Sequence, residues 1–144
     1  GEGGVRVIND DVVRAVGVSD AVIAGVEAHE RAELERRVRR LRGDGPHLPL
    51  EGRTALIVDD GIATGSTAAA TCRVVRLQHP ARIVLAVPVA SPAAAEALRQ
   101  VADEVISVDL PEHLRSVGEW YQDFSPTRED DVVALLARVP PEED

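Results

Sequence analysis

Thr54-Ala55-Leu56-Ile57-Val58-Asp59-Asp60-Gly61-Ile62-Ala63-Thr64-Gly65-Ser66-Thr67 decides how the rest of this chain is read. The aliphatic, β-branched residues from Thr54 to Val58 have the composition of a buried strand. The run stops at two adjacent carboxylates, Asp59 and Asp60. Small residues follow, and then a segment of helical composition begins. Acids delivered to the C-terminal end of a strand can accept hydrogen bonds from sugar hydroxyls. The backbone N–H groups of a small-residue loop that opens a helix can hold a phosphate dianion. Ala63, Thr64, Gly65, Ser66 and Thr67 carry no large side chain, so a ligand can approach the backbone closely. Three of them also offer a hydroxyl. The loop is not a Walker A sequence, because no Gly-Lys-Ser/Thr occurs. It is not a dinucleotide fingerprint either: Gly61 and Gly65 have the wrong spacing, and the acids precede the loop instead of following it by about 20 residues.

Outward from this stretch the chain alternates. Thr67–Leu77 reads as an Ala-rich helix, Arg82–Val87 as a second strand ended by Pro88, Pro92–Val101 as a helix with proline in its first turn, and Glu104–Val108 as a third strand. Leu110-Pro111 ends that strand, Ser116–Phe124 has no regular pattern, and Thr127 caps a last helix through Arg138. Upstream, Val5–Ile8 reads as a short strand, and Ser19 caps a long charged helix over Asp20–Arg42 that Gly43-Asp44-Gly45-Pro46 stops. Glu27/Arg31, Glu33/Arg37 and Glu35/Arg39 stand at ion-pair spacing on it. Strand–helix alternation predicts βαβ units and a parallel sheet, which bind ligands beyond the carboxyl ends of their strands. Asp59 and Asp60 lie at such an end.

Composition narrows the function classes. The 144 residues are predicted to form one domain: an irregular or short-strand start over 1–18, the charged helix over 19–42, and a βα core over 53–138. With 44% hydrophobic and only 2% aromatic residues, its core must be built from Val, Ala, Leu and Ile. A formal charge of −9 argues against a nucleic-acid partner or an anionic membrane surface. No apolar run approaches the ~18 residues of a membrane span. Gly1-Glu2-Gly3-Gly4 lacks the marks of a signal peptide, so a cytoplasmic location is expected. Cys72 is the one cysteine, which excludes an intrachain disulfide and a multi-cysteine zinc site. A packed position in its helix is expected for it. His29, His47, His79 and His113 stand in unrelated contexts and form no metal set.

The stretch Leu56–Thr67 resembles the PRPP (5-phosphoribosyl 1-diphosphate) motif of type I phosphoribosyltransferases: a hydrophobic run, two acids, variable residues, then Thr64-Gly65-Ser66-Thr67. Ala86-Val87-Pro88-Val89-Ala90 and Val117-Gly118-Glu119-Trp120-Tyr121-Gln122-Asp123-Phe124 are similar to a bacterial subfamily whose substrate is unassigned. The resemblance runs from about residue 20 to residue 138. It implies an α/β fold: a partial, Rossmann-like phosphoribosyltransferase core with a parallel sheet and helices on both faces. It implies that Asp59 and Asp60 contact the ribose 2- and 3-hydroxyls, and that Ala63, Thr64, Gly65, Ser66 and Thr67 cradle the 5-phosphate. The implied reaction belongs to nucleotide metabolism, transferring phosphoribose to a nitrogenous acceptor with release of pyrophosphate. Its transition state is oxocarbenium-like, and Mg2+ rides on the substrate, with no direct protein ligand.

The family's basic pyrophosphate loop is not found in this sequence. Together with the absence of methionine, this suggests that the chain is an N-terminally truncated piece of something longer. Two alternatives therefore stand beside the transferase: a non-catalytic module that senses PRPP or a nucleotide, and one part of a longer multifunctional protein. The resemblance would place some of Arg36, Arg37, Arg39, Arg40 and Arg42 near pyrophosphate; an ion-paired solvated face is the favoured reading. Trp120 and Tyr121 are candidates to stack on an acceptor base or to plug a core edge. Pro88, Val89, Ala90 and Ser91 are candidates to line the acceptor pocket. Exposed apolar strands suggest a homo-oligomer.

Overall fold

The computed structural model describes residues 13–14, 16–43 and 49–138. The elements are α1 (Asp20–Arg42), β1 (Thr54–Val58), α2 (Ser66–Arg76), β2 (Arg82–Val89), α3 (Pro92–Leu98), β3 (Glu104–Asp109), a 3-10 turn (Val117–Trp120) and α4 (Glu129–Leu136). The three strands form one parallel sheet in the order β1-β2-β3, so the chain is α/β as its alternation predicts. The expected Val5–Ile8 strand lies outside the described residues. None of the described helices is long and apolar enough to cross a membrane.

The chain divides into two compact units. Residues 49–124 hold the sheet, α2, α3 and the 3-10 turn, while 13–43 and 125–138 hold α1 and α4. In the sheet unit, side chains alternate along β2. Ile83, Leu85 and Val87 are buried and join Ala68 and Cys72 of α2 with Ala94, Ala95 and Leu98 of α3 in one core cluster. Ile57 of β1 and Val105 of β3 pack on the same cluster. α2 and α3 thus cover one face, as right-handed crossovers between sequentially ordered strands require. Alanine at the contact positions brings the helix backbones close to the sheet, which is how a core almost without aromatics fills its space. Cys72 is fully buried there, as expected, and burial pushes its thiol pKa up. On the alternate positions Leu56, Val58 and Val108 are exposed, Val58 at 70% and Val108 at 81%.

β2 runs past Pro88 instead of ending there. β1's ladder closes at Val58↔Ala86, and toward β3 it is Val87 and Val89 that pair, so no partner is deprived by the missing N–H. α3 stops at Leu98, short of Val101, because its carbonyl takes both Val101 N–H and Ala102 N–H in a tight exit that buries Ala102. Asp103 then closes the unit. Its carboxylate accepts Ile83 N–H at 2.7 Å and the Arg76 guanidinium at 2.9 Å, tying the start of β2 to the last turn of α2.

In the other unit α1 has the predicted bounds, and Ser19 precedes it without a side-chain cap bond. Arg31 pairs with Glu27 at 2.9 Å as spaced. Glu33 pairs with Arg36 and not Arg37, because Arg36 is drawn toward Glu129 at 2.8 Å and Glu33 closes on the same guanidinium. Glu35 and Arg39 are in no ion pair among the described residues. α4 begins at Glu129 after Arg128, so Thr127 is not its cap. Three acids, Glu129, Asp130 and Asp131, complement the helix N-terminus electrostatically instead.

Hydrogen bonds from Ile83 N–H and Arg76 hold the Asp103 carboxyl below the usual carboxylate range. The folded chain therefore binds this proton more weakly than the unfolded chain. The contribution is complete above the unfolded pKa and is lost as pH falls through the folded one. Urea midpoints measured across that acidic range should fall for the wild type. Asp103→Asn should start lower at neutral pH and fall less steeply.

Candidate functional site

β1 ends at Val58 and carries Asp59 and Asp60 past the edge of its ladder, where Asp59 N–H still reaches the Ala86 carbonyl at 3.4 Å. Both acids are exposed. Asp59 Oδ1 accepts Asp60 N–H at 3.0 Å, so one acid braces the peptide of the other. The chain then dives at Ile62, which is 3% exposed and forms an isolated parallel bridge with Ala90. Ile62 N–H donates to Val89 O and Ser91 N–H donates to Ile62 O, each at 2.9 Å. The Ser91 hydroxyl donates to Ala63 O at 2.8 Å and accepts Ala94 N–H at 3.2 Å. A single side chain thus caps α3 and fastens the start of the loop.

Gly65 has φ +80° at the N-cap of α2, a left-handed conformation that favours glycine. A Cβ there would also meet Leu98 Cδ1 at 3.3 Å and Ala94 Cβ at 3.5 Å. Between these fixed points the chain curves around an open hollow of about 260 Å3 lined by Asp59–Gly65, Thr67, Ala68 and Val117. Of the residues singled out from sequence, Asp59, Asp60, Ala63, Thr64, Gly65 and Thr67 line it together, whereas Ser66, the first residue of α2, does not. Among the described residues, the backbone N–H groups of residues 63–68 donate to no protein acceptor. They are the unsatisfied donors of a loop and a helix N-terminus, concentrated at one hollow.

The far wall comes from the 3-10 turn, which sequence pattern left irregular. Val117 lines the hollow and abuts Gly61: a Cβ on Gly61 would lie 2.6 Å from Val117 Cγ1 and 3.0 Å from Val89 Cγ1. Tyr121 neither plugs the core nor faces open solvent. It is half-buried, its hydroxyl donates to Asp60 O at 2.6 Å, and its ring packs on Phe124 at 5.1 Å between centroids. Trp120 beside it is exposed. Of the residues grouped with the acceptor pocket, Ser91 reaches the loop through its hydroxyl and Val89 reaches Gly61, while Pro88 is exposed. Arg36, Arg37 and Arg40 are ion-paired with Glu129, and Arg40 also with Asp130. No group of three or more His, Cys, Asp or Glu residues is placed to hold a metal among the described residues.

The phosphoribosyl transferase domain family model matches residues 7–124. Two Mycobacterium tuberculosis proteins, "Putative phosphoribosyl transferase Rv0571c" of strain H37Rv and "Putative phosphoribosyl transferase MT0597" of strain CDC 1551, are each 45% identical over 138 residues. These matches cover 96% of this chain and 31% of each relative, so the chain spans about a third of their length. The crystal structure of TT1426 from Thermus thermophilus is similar at a TM-score of 0.74 and 39% identity, over 94% of this chain and 64% of that one.

The Val117–Gly61 contact leaves no space for a methyl group. Gly61→Ala should destabilise the chain by about 1–3 kcal/mol through overpacking. Combining it with Val117→Ala should cost less than the sum of the two single changes. Chemical denaturation of the four variants measures this, and simple additivity would contradict the seam.

Proposed function

The chain belongs to the phosphoribosyl transferase domain family, and from that premise we propose that the hollow binds a 5-phosphorylated ribose, with PRPP as the substrate. The loop Ala63–Thr67 takes the 5-phosphate on its free amides and on the Thr64 and Thr67 hydroxyls, while Ser66 contributes its backbone amide only. Asp59 and Asp60 accept the ribose hydroxyls. The observation that carries this reading is the convergence of partnerless amides and two exposed carboxylates on one hollow. Each hydrogen bond to a charged group contributes roughly 1.5–3 kcal/mol, and the helix dipole adds about 0.3–1 kcal/mol. Two carboxylates that need not act as strong bases also suit positive charge developing on the ring as a nitrogenous acceptor displaces pyrophosphate. A magnesium ion would ride on the substrate diphosphate, since Mg2+ is commonly held by substrate phosphates, and Asp59 and Asp60 stay free for the ribose hydroxyls. When bound, it would neutralise charge on the leaving group.

One observation favours a second reading, a module that senses PRPP or a nucleotide without turnover. The residues lining the hollow include no Lys or Arg, so among them nothing cationic faces a departing diphosphate.

Calorimetric titration with ribose 5-phosphate and Mg-PRPP tests the first reading. Asp60→Asn should weaken binding about tenfold, or roughly 1.4 kcal/mol, and Thr64→Ala several-fold. Affinities that do not change would refute the site. Pyrophosphate release with purine, pyrimidine or small-amine acceptors would eliminate the sensing module, and binding without release would favour it.

A further inference from the structure

We propose that Tyr121 is the positioning residue of the acid pair, setting the direction in which Asp60 faces a bound sugar ring. The inference rests on the sugar–phosphate reading of the hollow and assigns a role to a residue outside the strand–loop–helix stretch.

The Asp60 peptide lies beyond the ladder of β1, where no neighbouring strand holds it. The residue's N–H and C=O, which belong to the two peptide groups flanking its Cα, are instead held by side chains. The N–H donates to Asp59 Oδ1 at 3.0 Å, and the carbonyl accepts the Tyr121 hydroxyl at 2.6 Å. With the peptide groups on both sides of the Asp60 Cα held, the direction in which its side chain leaves the backbone is fixed. With the tyrosine bond absent, only Asp59 would brace it, and Asp59 is itself needed for the ligand.

Tyr121 is in turn well fixed. Its N–H donates to Gly118 O at 3.2 Å, and its ring leans on Phe124 at an interplanar angle of 41°. Two glycines allow this approach. A Cβ on Gly118 would lie 2.9 Å from Phe124 Cδ1, and one on Gly61 would strike Val117. The turn therefore closes on the acid pair as a packed unit, with the phenol at its contact point. The phosphate loop is anchored separately, by the Ile62–Ala90 bridge and the Ser91 hydroxyl. Tyr121 should consequently govern the grip on ring hydroxyls and leave the grip on phosphate alone. An orientation error of the order of 1 Å at such a group is costly.

The test measures affinities for ribose 5-phosphate and for inorganic phosphate in the wild type, Tyr121→Phe, Asp60→Asn and the double variant. Tyr121→Phe keeps the ring and its packing on Phe124. It should lose roughly fivefold in ribose 5-phosphate affinity, the scale of one hydrogen bond, while phosphate affinity stays within about twofold. In the double variant Tyr121→Phe should add little to Asp60→Asn, because it acts through that carboxylate. Equal weakening toward both ligands, an unchanged preference, or additive losses would overturn the positioning role while leaving the site intact. A wild type that binds ribose 5-phosphate no better than phosphate would overturn the sugar-gripping reading and this inference with it.

Discussion

The site depends on one buried anchor. Ile62 drops out of the exposed turn that follows β1, buries itself, and bridges in parallel to Ala90, two residues after Pro88. A buried residue costs free energy to leave unpaired, and here both its N–H and its C=O are satisfied, by Val89 and Ser91. With that point fixed, Asp59 and Asp60 stand on one side of the anchor and Ala63–Thr67 on the other. The distance between the acids and the loop amides is then set by the sheet. A flexible connection would have to order both halves each time a ligand bound.

The surrounding residues add stiffness in the same sense. Ser91 uses one hydroxyl for α3 and for the loop, Gly65 turns the chain into α2, and the Val117–Tyr121 turn closes the wall. The chain's charge of −9 opposes anions at long range, yet such fields are screened over about 10 Å in salt. At contact distance, the groups on the loop side of the hollow are the undonated amides of residues 63–68 at the N-terminus of α2. Net charge at long range therefore does not by itself exclude an anion from that side of the hollow.

The α1–α4 unit is held differently. None of its described residues is buried, and its best-defined contacts are exposed ion pairs that gather Arg36, Arg37 and Arg40 around Glu129. Pairs of this kind are individually worth about 0–1 kcal/mol and weaken in salt. This is a solvated, ion-paired face, as the regular charge pattern of α1 suggests. Arg31 and Glu27 pair within α1, whereas the Arg36 guanidinium is shared between Glu33 of α1 and Glu129 of α4.

The sequence alone determined the existence and parallel order of the three strands of the sheet, the long charged helix and the strand–acid–loop–helix stretch, with six of the ten residues that line the hollow. These are local matters: propensity, periodicity, capping and the small side chains of Ala63–Thr67 act between near neighbours. Tertiary structure alone decided the far wall. Tyr121 and Asp60 are 61 residues apart, and nothing in the irregular pattern of Ser116–Phe124 signals that a hydroxyl there will meet a carbonyl at the end of β1. It also decided that Ser66 stays off the hollow, that β2 passes through Pro88, and that acids open α4 in place of Thr127. Each of these outcomes is settled by which groups packing brings within hydrogen-bond or contact range, and that range does not exist until the chain has folded.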